Sequence, residues 1–367
     1  MKSEKILPLQ LSLLLIGFIF GSTAIFNPAS GAGHDAWLAF IVGWSGGFIS
    51  IMIFATIASM NPGQTLVEIL INYFGKAIGS IIIVFYIWYF LHLAALVLRN
   101  FGEYMVVTNY TETPVLFIMF CFIVVVAYNV KKGLEVFARV SELFVPVIFV
   151  FVIMIGIVLI RRYQFNHMLP FLENGIGPVI QSGFKVWTFP FGETVAFLMI
   201  FPNLNDTKKI KKISVRSCLV AGIIILMIVV RDLTVTGADM MKFGREIFTP
   251  NVTAQLITDN FQLETLISTN FLIGGGIKLI VCLYAASMGI AQLSGLDDFK
   301  PLVYPLAAFV LSLSIWIYDD IFTMFSWAAK TWPYYSIPFQ FLIPIILLFF
   351  SLTKKQNNRD GPKPLNK

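Results

Sequence analysis

Three charged side chains, Glu193, Lys185 and Lys278, lie within long apolar runs of this sequence. An ionised group inside a membrane is costly unless it is paired or hydrated. Lys278 follows three consecutive glycines and lies about 20 Å into its run, at about 1.5 Å per residue of helix. We therefore expect Lys278 to be an internal charge with a structural or functional role. Lys185 lies nearer the end of its run, where it either reaches for the membrane surface or acts internally.

The histidines and cysteines do not form a catalytic or metal-binding set. The histidines are far apart in sequence and the cysteines fall singly within apolar runs; these residues are His34, His92, His167, Cys121, Cys218 and Cys282. No phosphate-binding loop and no Ser/His/Asp arrangement is present in the sequence. These observations predict no enzymatic activity, no metal ion and no other cofactor.

Two apolar runs are interrupted by residues that weaken a helix. The first contains Gly17 to Ala24, which is rich in small and hydroxyl-bearing residues, and the second contains Phe189-Pro190-Phe191-Gly192-Glu193-Thr194. Pro190 removes an amide donor, and Gly192 loosens the backbone beside an acid. An unwound turn in hydrocarbon must have its amides and carbonyls satisfied, which a ligand with both a carboxylate and an ammonium group can do.

These breaks define the predicted binding site near the middle of the membrane. We expect the carboxylate of a ligand at the amides of Gly21–Ala24, where the second part of the first helix begins, and its ammonium group at the carbonyls near Phe189 and Pro190. The predicted ligand-binding residues, including two aromatic residues of the third run, are Gly21, Ser22, Thr23, Ala24, Phe85, Tyr89, Phe189, Pro190, Gly192 and Glu193.

The elements that must position these residues are membrane-spanning helices. Hydrophobic residues make up 57% of the chain, charged residues 13%, and the mean hydropathy is +0.82, so a water-soluble globule would lack a polar surface. The sequence predicts an all-α integral membrane protein with about ten transmembrane helices. The predicted spans are residues 8–29, 36–59, 77–99, 114–130, 141–161, 176–202, 214–237, 264–291, 301–318 and 333–352.

The spans divide into two groups of five, each beginning with one of the interrupted runs. The groups cover about 8–161 and 176–352, and residues 353–367 form a cytoplasmic tail. Because five is odd, the second group enters the membrane in the opposite direction. Paired broken helices in two inverted halves are the sequence signature of a LeuT-type transporter fold. We expect residues 1–367 to form a single transporter-like domain.

Lys and Arg are distributed unequally between the loops. Of the 26 such residues, 17 lie on one side of the predicted membrane and 7 on the other, while Lys185 and Lys278 lie within spans. The richer side carries both termini and the basic run at 208–212, and the positive-inside rule makes it cytoplasmic. Topology and contact with the lipid bilayer thus explain the net charge of +6, and nucleic acid is not expected as a partner.

Three motifs carry a resemblance to a known family. They are Gly33-His34-Asp35-Ala36-Trp37, Pro190-Phe191-Gly192-Glu193 and Phe201-Pro202-Asn203-Leu204. The sequence resembles the B subunits of spore nutrient germinant receptors, a branch of the amino acid-polyamine-organocation superfamily, from about residue 5 to 352. The stretch around Gly21 is similar to the glycine-rich first-helix break of that superfamily, although Thr23 stands where a second glycine is common.

The resemblance implies a function that composition alone does not indicate. A B subunit senses a germinant, usually an amino acid, in the spore inner membrane, together with an A and a C subunit and without enzymatic chemistry. An autonomous amino-acid permease, coupled to protons through Glu193 or to no ion, is the alternative, because both need the same pocket. A purely structural scaffold is disfavoured, because it has no use for internal charges.

The resemblance also suggests a role for Lys278. Many LeuT-type transporters hold a sodium ion between helices one and eight, and the Lys278 ammonium group would replace that ion by bridging span eight to the first-helix break. Glu193 is the alternative partner, since an internal Lys–Glu pair offsets part of the desolvation cost of each charge. Either arrangement predicts activity that does not require sodium.

Overall fold

The computed structural model describes residues 4–243 and 263–360, and within these ranges the chain folds into α-helices joined by short 3₁₀ and π segments. The α-helices are α1 (Pro8–Phe20), α2 (Ala36–Met60), α3 (Leu66–Thr108), α4 (Val115–Lys132), α5 (Leu134–Val158), α6 (Gly177–Val186), α7 (Ile210–Phe243), α8 (Leu263–Leu293), α9 (Val303–Trp316), α10 (Ile321–Lys330), α11 (Trp332–Tyr335) and α12 (Ile343–Asp360). Most of residues 238–263, which connect the seventh and eighth predicted spans, lie outside the described residues.

Seven helices of the described ranges are long and apolar enough to cross a membrane. They are Pro28–Met60, Leu66–Thr108, Val115–Lys132, Leu134–Val158, Thr207–Met240, Leu263–Leu293 and Trp332–Thr353. An eighth is the pair Lys300–Trp316 and Ile321–Lys330, which meet at a bend of 98°. The two remaining predicted spans are the broken ones, in which each break leaves helical pieces shorter than the membrane is thick. With them the count is ten, so the sequence-based count is confirmed.

Several boundaries differ from the predicted ones. The helix α3 begins eleven residues earlier than the predicted start at 77 because Thr65 and Glu68 form a capping box, in which each side chain bonds the other residue's backbone amide. Gly75 then kinks the helix, with φ of 74°, a value that disfavours residues with a side chain. The residues of the short helix α10 were predicted to form a loop. They instead form a helix that meets α9 at a bend of 98°.

The first broken span begins with α1 and loses its regular form where it was predicted to do so. Residues Gly21–Ala24 form a tight 3₁₀ turn, and a second 3₁₀ segment, Pro28–Asp35, leads into α2. The hydroxyl of Thr23 donates to the carbonyls of Ile19 and Phe20. The hydroxyl thus satisfies carbonyls of the preceding turn that the break would otherwise leave unpaired.

The second broken span consists of α6, a widened π segment at Trp187–Phe191 and a 3₁₀ segment at Gly192–Met199. Phe189 is extended, with φ of −135° and ψ of 114°, directly before Pro190. This is the geometry that a residue before proline prefers. The two breaks face α8, a central helix in which 83% of the most apolar window is buried, compared with 28% for α5 at the periphery.

Candidate ligand site at the two helix breaks

Lys278 and Glu193 form an ion pair in the centre of the protein. The Lys278 ammonium group contacts Oε2 of Glu193, and both side chains are fully buried. The Lys278 Nζ atom also lies 4.6 Å from the ring centroid of Phe189 and 5.3 Å from that of Phe18. The carboxylate and the two aromatic faces together offset the desolvation of the ammonium group. Of the two partners that the sequence suggested for Lys278, the structure selects Glu193.

The stem of Lys278 lies directly against the first-helix break. A Cβ atom placed on Gly21 would lie 3.0 Å from Cδ and 3.4 Å from Cβ of Lys278. A Cβ atom on Gly274 of α8 would lie 3.1 Å from the backbone of Gly21. Two glycines therefore let the first span and α8 approach closely. The stem of Lys278 fills the space beside this break, whereas its ammonium group contacts Glu193 of the sixth span.

Gln340 holds the backbone of the sixth-span break. Its side-chain amide donates to the carbonyl of Thr188 at 3.0 Å and to the hydroxyl of Tyr89 at 2.8 Å, and all three residues are buried. Gly192 is needed here, because a Cβ atom at that position would collide with Oε1 of Gln340. The Thr188 carbonyl next to Phe189 is thus satisfied by the protein.

Sequence reasoning missed Gln340, although a signal was present. A glutamine amide within the apolar run 333–352 needs hydrogen-bonding partners when it lies in hydrocarbon. Tyr89, which was expected to line a pocket, instead stacks on Phe339 with ring centroids 4.7 Å apart and bonds Gln340.

A cavity of about 40 Å³, here called the Glu193 cavity, lies beside the two breaks. Ser22 and Glu193 contribute to its wall, and Ser22 Oγ and Glu193 Oε1 are buried without a hydrogen-bond partner among the described residues. Its aromatic wall consists of Phe26, Phe189, Tyr318, Phe325, Trp327 and Trp332. The volume holds about three water molecules, so an amino acid enters only when side chains move apart.

A second cavity of about 20 Å³, here called the Lys185 cavity, adjoins the first. Its wall includes Asn27, Ser30 and half-buried Lys185. Phe26 and Phe189 line both cavities and pack edge to face between them, with ring centroids 5.7 Å apart. Lys185 is therefore close to the site without being part of the Lys278–Glu193 pair.

Phe85 lies away from the site, and its expected role in the pocket is corrected. Its side chain is 57% exposed on the outer surface of the helix bundle. The buried stripe of α3 at this level follows the helical spacing of three and four residues and consists of Ile83, Tyr86, Ile87 and Phe90. Phe85 falls on the opposite face, towards the lipid.

The other predicted residues lie at the breaks. Ser22, Phe189 and Glu193 line the Glu193 cavity. Pro190 and Gly192 are buried behind it, and Gly21, Thr23 and Ala24 belong to the first-helix turn. Across the described ranges, no three His, Cys, Asp or Glu residues come together in a group that could hold a metal ion.

The C-terminal end of the sixth span is tied to the N-terminal segment. The amide of Ile6 donates to the carbonyl of Asn203 at 2.9 Å, and the amide of Asn205 donates to the carbonyl of Ile6 at 3.1 Å. Glu4 accepts a hydrogen bond from the amide of Leu134, the first residue of α5. Burial raises the pKa of the Glu4 carboxyl group, while this hydrogen bond acts in the opposite direction. A shift of the C-terminal half of span six therefore has to move or break these contacts.

The sequence of this chain is similar to those of spore germination proteins. Residues 5–321 match a family described as spore germination protein. The chain is 33% identical to Spore germination protein KB of Bacillus subtilis (strain 168) over 364 residues, 97% of each chain. It is 22% identical to Spore germination protein YndE of the same strain, over 97% of this chain and 99% of that protein.

The fold is similar to that of a solved transporter. Mhp1, a nucleobase-cation-symport-1 family transporter in a closed conformation with bromovinylhydantoin bound, aligns with a TM-score of 0.65 at 12% identity. The alignment covers 97% of this chain and 80% of that chain. This similarity confirms the LeuT-type fold with discontinuous helices one and six.

Proposed function

This chain belongs to the spore germination protein family, and on that premise we propose that it is the membrane-embedded B-type subunit of a nutrient germinant receptor. It binds a small germinant, an amino acid, at the two helix breaks, and binding triggers germination. The observation that carries the proposal is the 33% identity to Spore germination protein KB across 97% of both chains.

The site supports binding by its chemistry. Ser22 and Glu193 offer unpartnered polar atoms beside an aromatic wall. Most small-molecule sites combine an apolar lining with a few convergent polar groups in this way. A scaffold with no ligand has no use for a buried Lys278–Glu193 pair at the junction of two broken helices.

In this proposal the ligand shifts the protein between two states. Germinant entry separates the aromatic side chains around the Glu193 cavity and moves the inner half of span six. The contacts of Ile6 with Asn203 and Asn205 carry that movement to the cytoplasmic face. The A and C subunits receive it there or within the spore inner membrane. The N and C termini lie in the cytoplasm in this arrangement.

The alternative function is an autonomous amino-acid permease. The observation that favours it is the similarity of the fold to a transporter, at a TM-score of 0.65. In that reading the same pocket opens alternately to the two sides of the membrane. Glu193 carries a proton, or transport is not coupled to any ion.

Deleting the gene separates these functions. Spores of the deletion strain are exposed to a panel of single amino acids and mixed nutrients, and germination is followed by the loss of optical density. Growing cells of the same strain are assayed for uptake of the radiolabelled amino acids. The receptor predicts a loss of response to particular nutrients with unchanged uptake. Unchanged germination together with an uptake defect contradicts the receptor and supports the permease.

A further inference from the structure

A long apolar groove, here called the α4 groove, lies between α4, α5 and α8. Its volume is about 640 Å³, compared with about 40 Å³ for the Glu193 cavity. One wall is a single face of α4, where the lining residues repeat at the four-residue spacing that aligns side chains along a helix: Phe117, Cys121, Val125 and Asn129. This stripe is about 18 Å long at about 1.5 Å per residue. The groove therefore follows more than half of the hydrocarbon core of a bilayer, which is about 30 Å thick.

Large side chains form the rim of the α4 groove, and a small residue lies at its bottom. Phe117, Val125 and Phe144 on the rim are exposed on the outer surface of the helix bundle. Gly276 of α8 is buried, and a Cβ atom placed on it would meet only the ring of Phe122, at 3.6 Å. The groove thus opens towards the lipid and reaches inwards as far as the central helix.

The polar side chains in this part of the wall already donate within their own helices. The Asn129 amide donates to the carbonyl of Val125 at 2.9 Å, and the Ser141 hydroxyl donates to the carbonyl of Ala138 at 2.6 Å. Association of helices in a membrane depends on small residues that let two backbones approach and on polar groups that bond across the interface. Here the large rim residues keep a second backbone away, and neither donor is free to bond it. The groove is therefore poorly suited to a helix of a partner protein.

A basic residue lies at the C-terminal end of α4 on the groove side of the helix. Lys132 follows Asn129 by three residues, so the two side chains are neighbours on the helix surface. Lys132 is exposed, its Nζ atom lies 5.0 Å from the ring centroid of Tyr128, and it has no carboxylate partner among the described residues. Lys131 is directed instead to Tyr304 of α9, with Nζ 4.4 Å from the ring centroid. The apolar groove thus has one basic end.

We propose that the α4 groove binds one phospholipid, with an acyl chain along the stripe of α4 and an anionic headgroup at Lys132. An acyl chain suits the groove because it is flexible and has no backbone polar groups that need partners. It can fill the space beside Gly276, whereas an unfilled groove leaves its wall without dispersion contacts on one side. The headgroup supplies the negative charge that Lys132 lacks. This lipid site does not depend on the germinant or on the proposed function.

The lipid supports the segment of α8 that carries the buried ion pair. Gly276 lies two residues from Lys278 and so projects from the opposite side of the helix. Ile277 lines the groove and also packs on the first span, because a Cβ atom on Gly17 would lie 2.5 Å from its Cδ1 atom. This segment is thus held between the first span on one side and the acyl chain on the other. Loss of the lipid frees it to shift relative to the first span.

The test is photolabelling of the purified full-length protein in nanodiscs that contain a trace of phosphatidylglycerol with a diazirine in the middle of one acyl chain. Labelled peptides are mapped by mass spectrometry, and we expect label on residues 117–129 of α4 and 140–144 of α5. A phosphatidylcholine probe with the same chains should label these residues about fivefold less, since one lysine near anionic lipid contributes about 1 kcal/mol. Lys132→Gln should remove this difference, and the control Lys131→Gln should retain it. Equal labelling by the two probes overturns the headgroup position at Lys132.

Two neighbouring exposed valines of α4 provide a matched pair of variants. Val125 lines the groove and Val124 does not. Val125→Trp fills the groove from its rim and should remove most of the labelling, whereas Val124→Trp should leave it unchanged. Both side chains lie outside the protein core, so neither substitution disturbs core packing. Equal labelling of the two variants overturns the lipid site. Label that is present on the purified chain but absent when native membranes are labelled also overturns it, because a partner helix then occupies the groove.

Discussion

Replacing Lys278 by methionine tests whether the buried ion pair holds the two broken spans together. The substitution keeps the length of the side chain and removes its charge, which leaves the Glu193 carboxylate fully buried without its cation. Removing one partner of a buried pair typically costs about 3–5 kcal/mol. A second estimate of this free-energy cost gives a similar value. Neutralising a carboxyl group of ordinary pKa, about 4.3, by protonation at pH 7 costs about 3.7 kcal/mol.

The same reasoning predicts a pH dependence. If the unpaired carboxyl group takes up a proton in the folded variant, the unfolded state still releases that proton above pH about 4.3. The unfolded state then binds fewer protons than the folded state, so the stability of the variant falls as the pH rises. At pH 5 the same protonation costs about 1 kcal/mol. The deficit relative to the wild type should therefore shrink by about 2–3 kcal/mol between pH 7 and pH 5.

The measurement is reversible unfolding in detergent, followed by tryptophan fluorescence, at matched expression. Lys185→Met is the control, because Lys185 lies outside the pair, and it should be destabilised much less than Lys278→Met. The double variant Lys278→Met with Glu193→Gln removes both charges, and it should recover most of the stability lost in Lys278→Met. Equal stability of Lys278→Met and the wild type, or simple additivity in the double variant, would refute the coupling.

Three further predictions follow from the helix breaks and the topology. Gly192→Ala should displace the side-chain amide of Gln340 and destabilise the protein by about 1–3 kcal/mol in the same unfolding assay. Gly177→Ala is the control and should not destabilise the protein, because a Cβ atom there meets nothing within 4 Å. Equal effects of the two substitutions would count against the Gln340 contact. Gly21→Val should abolish the germination response with normal membrane insertion, because its side chain collides with the Lys278 stem; a responsive variant with normal insertion contradicts the site. Reporters fused after residue 352 and within 238–263 should lie on opposite sides of the membrane, as the 17-to-7 distribution of Lys and Arg requires. Reporters on the same side would contradict the ten-span topology.

Local composition was sufficient to predict the spanning helices, the positions of their breaks, and that the charged side chains inside the membrane need partners. Apolar runs of about 20 residues specify spanning helices because their backbone groups bond within the segment and need no outside partner. The Gly21 and Pro190 regions weaken helices through their own backbone chemistry, so their breaks are readable without tertiary information. Lys278 and Glu193 are recognisable because charge in an apolar run is costly wherever the helix packs.

Rotation of a helix about its own axis was less predictable. Phe85 and its neighbour Tyr86 project from different faces of α3, and Phe85 is 57% exposed whereas Tyr86 is buried. In a membrane both the lipid-facing and the protein-facing sides of a helix are apolar, so hydrophobic periodicity does not separate them well. The orientation of α3 depends on the helices that surround it.

The sequence by itself determined that this chain crosses the membrane about ten times, that its first and sixth spans are broken, and that its internal charges need partners. Only the tertiary structure decided which groups meet. Lys278 pairs with Glu193 on a different helix, and Gln340 reaches Thr188 across a sequence separation of 152 residues. Such contacts depend on how distant helices cross and rotate against one another, which is set by side-chain packing over the whole bundle rather than by any local run of residues.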